Sequence, residues 1–370
     1  MTNQLLPNQT IGIMGDRISS RYLAQEAQNM GFSVAGFSLE AESPAVSAAE
    51  YKLVGQANWE AFLGLASVVT YTDDWLPHAT VENLATVQMP QGTNLLDLTD
   101  DHALSRAFFE AHAINILPYA IASSLEDISM AANKLGYPVV VKPVYKHGKH
   151  SESVILRGEF DLGVVAPLVD GGALIVETWL DNAREFAVAA VRNQVGELVT
   201  YPVVETKYDE NQNRRVWSAK QLDADVIGVM DETVQQISNV IDYVGAYTTE
   251  FFFSEAGNVY VRDVFTGLGE VSVFYMQTTD VNVFKNHLRA LTGQALSEVH
   301  ETAEGILLPF IDTQVEQIYR HWQIKPAWQL AVYHSEVLLP VAGHVLALGD
   351  DIDKLWNQIK VAHVWDFGED

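Results

Sequence analysis

Two carboxylates on the arms of one short ribbon are the side chains of this sequence best arranged to do chemistry. Thr249-Glu250-Phe251-Phe252-Phe253 and Val259-Tyr260-Val261-Arg262-Asp263 are rich in aromatic and β-branched residues, and Ser254-Glu255-Ala256-Gly257-Asn258 between them has turn chemistry. With Ser254 opposite Val259, four residues remain for the loop and Glu250 falls opposite Asp263 on one face. A slip of one residue would part them. Adjacent carboxylates repel unless a cation lies between them, and hard oxygen donors suit Mg2+ carrying phosphates. The alternative is that both acids simply face solvent.

Further polar residues interrupt apolar runs. Lys142 closes the strand-like Tyr137-Pro138-Val139-Val140-Val141 with Pro143 behind it, so its ammonium needs an anionic partner or a route to water. Lys146-His147-Gly148-Lys149-His150 is a basic loop in an acidic chain, of the kind that closes over phosphates; a solvated turn is the plainer reading. Glu177 follows the apolar run Ala173 to Val176 and Glu185 opens the next one, so the two acids offer acceptors for an amine and a ribose, or serve as ordinary strand-end acids.

The elements that must position these groups alternate in type. Thr10 to Gly15 reads as a strand ending in glycine, Ile18 to Met30 as a helix and Phe32 to Phe37 as a second strand. A helix from Asn58 to Ala66, a strand from Ser67 to Tyr71 and a helix from His78 to Gln88 complete a doubly wound opening. A dinucleotide site is not expected there, because Gly15 is followed by Asp16-Arg17-Ile18-Ser19-Ser20 and lacks the glycines that admit a pyrophosphate. From Asp101 the expected order is helix to Ala111, strand Leu117 to Ala120, helix Leu125 to Leu135 capped by Ser124, and strand Tyr137 to Lys142. Strands are then expected over Ser153 to Leu156, Ala173 to Glu177, Glu185 to Val191 and Leu198 to Val204, and a helix over Asp231 to Tyr243 before the hairpin. Short strands near Ala331 to Leu339 and His344 to Leu348 and a helix from Ile352 to Ile359 close the chain.

Composition narrows the partners. With 370 residues, 48% of them hydrophobic, the chain can bury a large core in two or three domains. No apolar run approaches the roughly 18 residues of a membrane span and the N-terminus lacks signal-peptide character, so a cytoplasmic protein is expected. Without cysteine there is no thiolate chemistry or thiolate-held metal. A net charge of -26 repels nucleic acid and anionic membranes, so the expected partners are small molecules, bound where local cations or a metal reverse the field.

In order and spacing these pieces resemble the carboxyaminoimidazole ribonucleotide synthetases, within the ATP-grasp superfamily. The resemblance runs over most of the chain. It rests on Ile11-Gly12-Ile13-Met14-Gly15, Lys142, Ile175-Val176-Glu177, Arg184-Glu185-Phe186-Ala187-Val188, Tyr201-Pro202-Val203-Val204-Glu205, Glu250-Phe251-Phe252 and Gly343-His344-Val345-Leu346-Ala347-Leu348-Gly349-Asp350-Asp351. It implies an α/β fold: a Rossmann-like domain over 1–98, an ATP-grasp domain over 99–294 and a small, mostly β domain over 295–370. It also implies ATP and Mg2+ as cofactors, bicarbonate and aminoimidazole ribonucleotide as substrates, carboxyphosphate as the intermediate, and a homodimer. Carried across, Arg106 and Lys142 meet the phosphates, Glu177 the adenine amine and Glu185 the ribose, while Glu250 and Asp263 hold the metal. Lys142, Lys149 and Arg262 are expected at the catalytic centre.

The acceptor half departs from the family. Where the family reads close to Ile-Ala-Pro-Arg-Pro-His-Asn-Ser-Gly-His, this chain has Val264-Phe265-Thr266-Gly267-Leu268-Gly269-Glu270-Val271-Ser272-Val273, and Arg262 replaces an asparagine. The implied function is therefore carboxylation with a diverged acceptor pocket. The alternatives are an ATP-grasp ligase for an acceptor without a phosphate, or a non-catalytic nucleotide-binding relative.

Overall fold

A computed structural model of the chain describes residues 4–76, 80, 88–146, 152–209, 213–333 and 341–367. Its first part is a parallel sheet of β1 (Thr10–Met14), β2 (Ser33–Ser38), β3 (Tyr51–Val54) and β4 (Val68–Tyr71) in the order β3-β2-β1-β4. Ile11, Ile13, Val34 and Val68 are fully buried, which explains why these strands read as near-continuous apolar runs. The helix Ile18–Asn29 turns Leu23, Ala24 and Ala27 onto the sheet. Asp16-Arg17 and Asp73-Asp74 leave the carboxyl ends of the neighbouring strands β1 and β4 together, where ligands of such sheets bind. The helix expected from His78 to Gln88 falls largely outside the described residues.

A small antiparallel sheet follows, with β5 (Tyr119–Ala122), β6 (Val139–Pro143), β7 (Val154–Leu156) and β8 (Leu174–Thr178) in the order β5-β8-β6-β7. The helix Leu125–Leu135 covers one face; Ser124 caps it as expected, its hydroxyl accepting the Asp127 amide at 3.1 Å. Val139, Val141, Leu174 and Val176 enter the core beneath that helix. By the period-2 rule Val140 and Lys142 face the other way, and Glu177, paired with Val140, joins them. Alternation along two short strands thus gathers the polar groups on one side.

The remaining strands form one large sheet in the order β14-β13-β9-β11-β12-β15-β17-β16, with β10 beside β9. They are β9 (Arg184–Arg192), β10 (Leu198–Thr200), β11 (Val204–Tyr208), β12 (Arg214–Ser218), β13 (Gly245–Phe253), β14 (Val259–Thr266), β15 (Glu304–Phe310), β16 (Trp328–Val332) and β17 (Gly343–Gly349). The single strand expected over Leu198 to Val204 is two strands, separated at Tyr201-Pro202 because proline has no amide to continue a ladder. The helix expected from Asp231 spans Ala224–Val240, with Asp223 at its N-cap and Met230, Val234 and Ile237 buried at helical spacing. Strands β12 and β15 and the helices Glu270–Thr278 and Val283–Leu291 were not anticipated. Through β12 and β15 the segment after residue 295 is hydrogen-bonded into the same sheet as the hairpin. No helix among the described residues is long and apolar enough to cross a membrane.

Candidate active site

Between the polar face of the small sheet and the hairpin β13–β14 lies a cavity of about 290 Å³. Arg106 reaches it from the helix His102–Ala111, where it shares the buried stripe with Ser105 and Phe109. Arg106 Nε donates to Glu177 Oε1 at 2.5 Å, and Lys142 Nζ lies 2.5 Å from Glu177 Oε2. Burial alone would raise the Glu177 pKa, but Lys142 and Arg106 outweigh it and hold the carboxylate down at about 2. Burial pulls the Lys142 ammonium below its ordinary value even with Glu177 beside it. Lys146 Nζ donates to Asp263 Oδ2 at 2.5 Å and sits 5.0 Å from the centre of the Phe265 ring. Burial, with Lys142 adding to it, lowers His102 to about 2, so its imidazole is neutral at pH 7. Leu117, Val140, Trp179, Leu180 and Phe252 line the rest. A lining of cations and flat apolar side chains suits phosphates joined to a planar base.

On the hairpin, Glu250 pairs with Asp263 as expected, by a route the sequence did not indicate. The loop holds five residues rather than four, since Phe253 pairs with Val259, and the register shifts by one between Phe251 and Glu250. Arg262 is the extra residue. A bulge sets two residues of one strand against one of the other, so Arg262 and Asp263 both oppose Glu250 where plain alternation would send them to opposite faces. Arg262 Nη1 lies 2.5 Å from Glu185 Oε2 and 3.7 Å from Glu250 Oε2. Glu250, 2% exposed, pairs through its other oxygen with Arg214 at the start of β12. The Tyr208 ring lies 5.6 Å from both guanidinium carbons.

As a seat for Mg2+ this donor set does not fit. Both Glu250 oxygens face guanidiniums; Asp263 Oδ2 takes Lys146 while its Oδ1 accepts the Val264 amide at 3.0 Å. Among the described residues no three His, Cys, Asp or Glu side chains converge as metal ligands. The expectation of a metal on Glu250 and Asp263 meets this arrangement: the carboxylates are neighbours, and protein cations lie against both of them.

Across the hairpin lies a second cavity of about 580 Å³. Gly267, at φ +80°, ends β14 against Thr72, where a Cβ would strike the Thr72 carbonyl, and the Leu268 amide donates to that oxygen at 3.2 Å. This contact joins the carboxyl end of β4 to the hairpin. Asp16, Arg17, Asp73, Asp74, Arg214 and Glu270 line the cavity together with Tyr208, Tyr333 and His344. Arg17 Nη2 is 2.8 Å from Asp74 Oδ1, and Asp73 Oδ2 accepts the Asp16 amide at 3.1 Å just ahead of the first helix. Burial raises Asp73 to about 6, and burial lowers His344 to about 4, so His344 contributes no cation at pH 7.

The structure therefore brings Arg106, Lys142, Glu177, Arg262 and Asp263 to one cavity, with Glu185 and Glu250 held against Arg262; Lys149 lies outside the described residues. Sequence reasoning missed Arg214, Tyr208, His102 and Asp73 as site residues. The Arg214-Arg215 pair in so acidic a chain was the one available signal.

The ATP-grasp domain family matches residues 107–266. The N5-carboxyaminoimidazole ribonucleotide synthase of Staphylococcus haemolyticus (strain JCSC1435) is 24% identical, covering 95% of this chain and 96% of that protein. The protein of the same name from Staphylococcus aureus (strain MRSA252) is 23% identical over 95% and 96%. Among solved structures, an ADP complex of an N5-carboxyaminoimidazole ribonucleotide synthetase superposes with a TM-score of 0.92 at 22% identity, covering 99% of each chain. The Aspergillus clavatus synthase in complex with ADP and 5-aminoimidazole ribonucleotide gives 0.85 at 16% identity over 98% of each. The parallel opening sheet and the antiparallel remainder are thus arranged as in these structures, an α/β ATP-grasp fold.

Proposed function

We propose that the chain is a carboxyaminoimidazole ribonucleotide synthetase of the ATP-grasp type, carboxylating aminoimidazole ribonucleotide with bicarbonate at the expense of ATP. The observation that carries this reading is the smaller cavity, lined by Arg106, Lys142, Lys146 and Arg262 together with Trp179, Leu180 and Phe252. ATP enters with its base against the apolar walls and its phosphates among the cations. Lys142 and Arg106 transfer their hydrogen bonds from Glu177 to phosphate oxygens, which frees Glu177 for the adenine amine, and Glu185 takes the ribose.

A bicarbonate oxygen then bonds to the γ-phosphorus as the bridging oxygen departs with ADP, giving carboxyphosphate. The acceptor amine bonds to the carboxyl carbon, phosphate leaves, and an amine proton passes to solvent. The protein's part is to position the reactants and neutralise charge, with Lys142, Arg262 and the expected Lys149 near the transferring group. Mg2+ accompanies the nucleotide in this reading only as a counterion of its phosphates, and no step runs through Glu250 or Asp263 as metal ligands. The expected regions divide the work: 1–98 and 295–370 supply walls of the acceptor cavity, and 99–294 holds the nucleotide. A cytoplasmic location and a homodimer complete the proposal.

The test is phosphate release. Bicarbonate and aminoimidazole ribonucleotide together should raise ATP turnover at least about tenfold over ATP alone, and Lys142→Ala should lower ADP affinity about 100-fold, as expected for losing charged hydrogen bonds to phosphate. No stimulation at millimolar acceptor refutes this acceptor. A second reading, an acceptor without a phosphate, draws on the acceptor cavity itself: Asp73 already occupies an amide ahead of the first helix, and Asp74 occupies Arg17. Turnover stimulated by an unphosphorylated amine but not by the ribonucleotide would select it.

A further inference from the structure

Glu185, Arg262, Glu250 and Arg214 form a chain of alternating charge that runs through the hairpin from one cavity to the other. Arg262 lines the nucleotide cavity and Arg214 the acceptor cavity, with Glu250 enclosed between them. The cluster is enclosed by more than charge. The Phe252 ring lies 5.2 Å from the Arg262 guanidinium carbon, and Tyr208 stands beside both guanidiniums. Arg214 is only 9% exposed, so its pairing with Glu250 is sheltered from solvent screening.

We propose that Arg214 and Arg262 are built-in counterions that occupy the place of a divalent cation, so that this chain holds no metal through Glu250 and Asp263 and binds nucleotide equally well with or without one. Glu185, Glu250 and Asp263 carry three negative charges, and Arg262, Arg214 and Lys146 balance them. A divalent ion added to that set would leave an uncompensated double positive charge in a buried site. A guanidinium stays charged at any working pH, and Arg262 Nη1 lies close to two carboxylates, hydrogen-bonded to Glu185 at 2.5 Å and 3.7 Å from Glu250. The bulge is the device that makes this possible, because it turns Arg262 to the face that Asp263 occupies. The nucleotide half of this inference rests on the functional reading above; the metal half does not.

Two measurements on the full-length protein test it. In the first, free Mn2+ is followed by electron paramagnetic resonance as protein is added without nucleotide. The wild type should bind none up to about 1 mM, whereas Arg214→Gln/Arg262→Gln, checked for a cooperative melt, should bind one ion in the weak micromolar-to-millimolar range of exposed carboxylate sites. A wild-type Mn2+ site removed by Glu250→Gln overturns the proposal. In the second, ADP is titrated calorimetrically with Mg2+ or with chelator. Affinities within about threefold of each other are expected, and a loss of about tenfold or more in chelator overturns the claim, since a ligand-held metal adds its own binding free energy. Absence of ADP binding in both arms overturns the functional reading instead, and the Mn2+ titration then decides the counterion assignment alone.

Discussion

The two cavities on either side of the hairpin are of opposite charge. The nucleotide side has four cations, Arg106, Lys142, Lys146 and Arg262, against the two carboxylates Glu177 and Asp263. The acceptor side reverses the balance, with Arg17 and Arg214 against Asp16, Asp73, Asp74 and Glu270. In a chain of net charge -26 the second pocket resembles the protein as a whole and the first is the exception. Such a local reversal attracts a polyanion into one cavity, while the other, lined by like charge, disfavours it.

The comparison can be broken most directly at Glu177. If its carboxylate holds Lys142 and Arg106 together, Glu177→Gln leaves two buried cations without a partner and should cost about 3–5 kcal/mol at pH 7 by urea unfolding. The sign of the pH dependence follows from the depressed value in the folded state. Wild-type stability from Glu177 is present above the ordinary glutamate range and is lost as pH falls towards about 2, so the gap between wild type and variant should close over that acidic window.

Asp73 tests the opposite pocket and should respond with the opposite sign. Its folded value is raised to about 6, so its ionised form carries a cost that is absent below the ordinary aspartate range and fully present above about 6. Asp73→Asn should therefore stabilise the protein by about 3 kcal/mol at pH 7.5 and by no more than about 0.5 kcal/mol at pH 4, measured by thermal or urea unfolding at both values. A destabilised variant at pH 7.5 would mean that burial of the ionised Asp73 carries no cost. The smallest effect is expected at the exposed pair Arg17 and Asp74. Asp74→Asn frees a cation and should tighten binding of a phosphorylated acceptor by no more than about fivefold in calorimetry, in keeping with the modest strength of surface ion pairs.

Much of this contrast can be traced to what could be read along the chain. Lys142 and Glu177 were legible because each interrupts an apolar run, and strand alternation then sends both to the same face. Ser124 was legible as a cap because it immediately precedes an amphipathic helix. Strand β15 was not, because Pro309 sits within it and argues against a strand locally, and β12 is only five residues long with the charged pair Arg214-Arg215 at its head. The guanidinium beside Glu250 was equally hidden: Arg214 lies on a strand that sequence reasoning did not find, more than thirty residues away.

By itself the sequence determined the kinds of layer and their order, and it put the charged residues on particular strand faces, because side-chain direction follows from local periodicity. It also determined that Glu250 and Asp263 would lie near each other, since both belong to one ribbon. Which cations those carboxylates meet was decided only by the tertiary structure. A single bulge sets the direction of Arg262, and the pairing of distant strands sets the position of Arg214, and neither depends on a pattern confined to one stretch of chain.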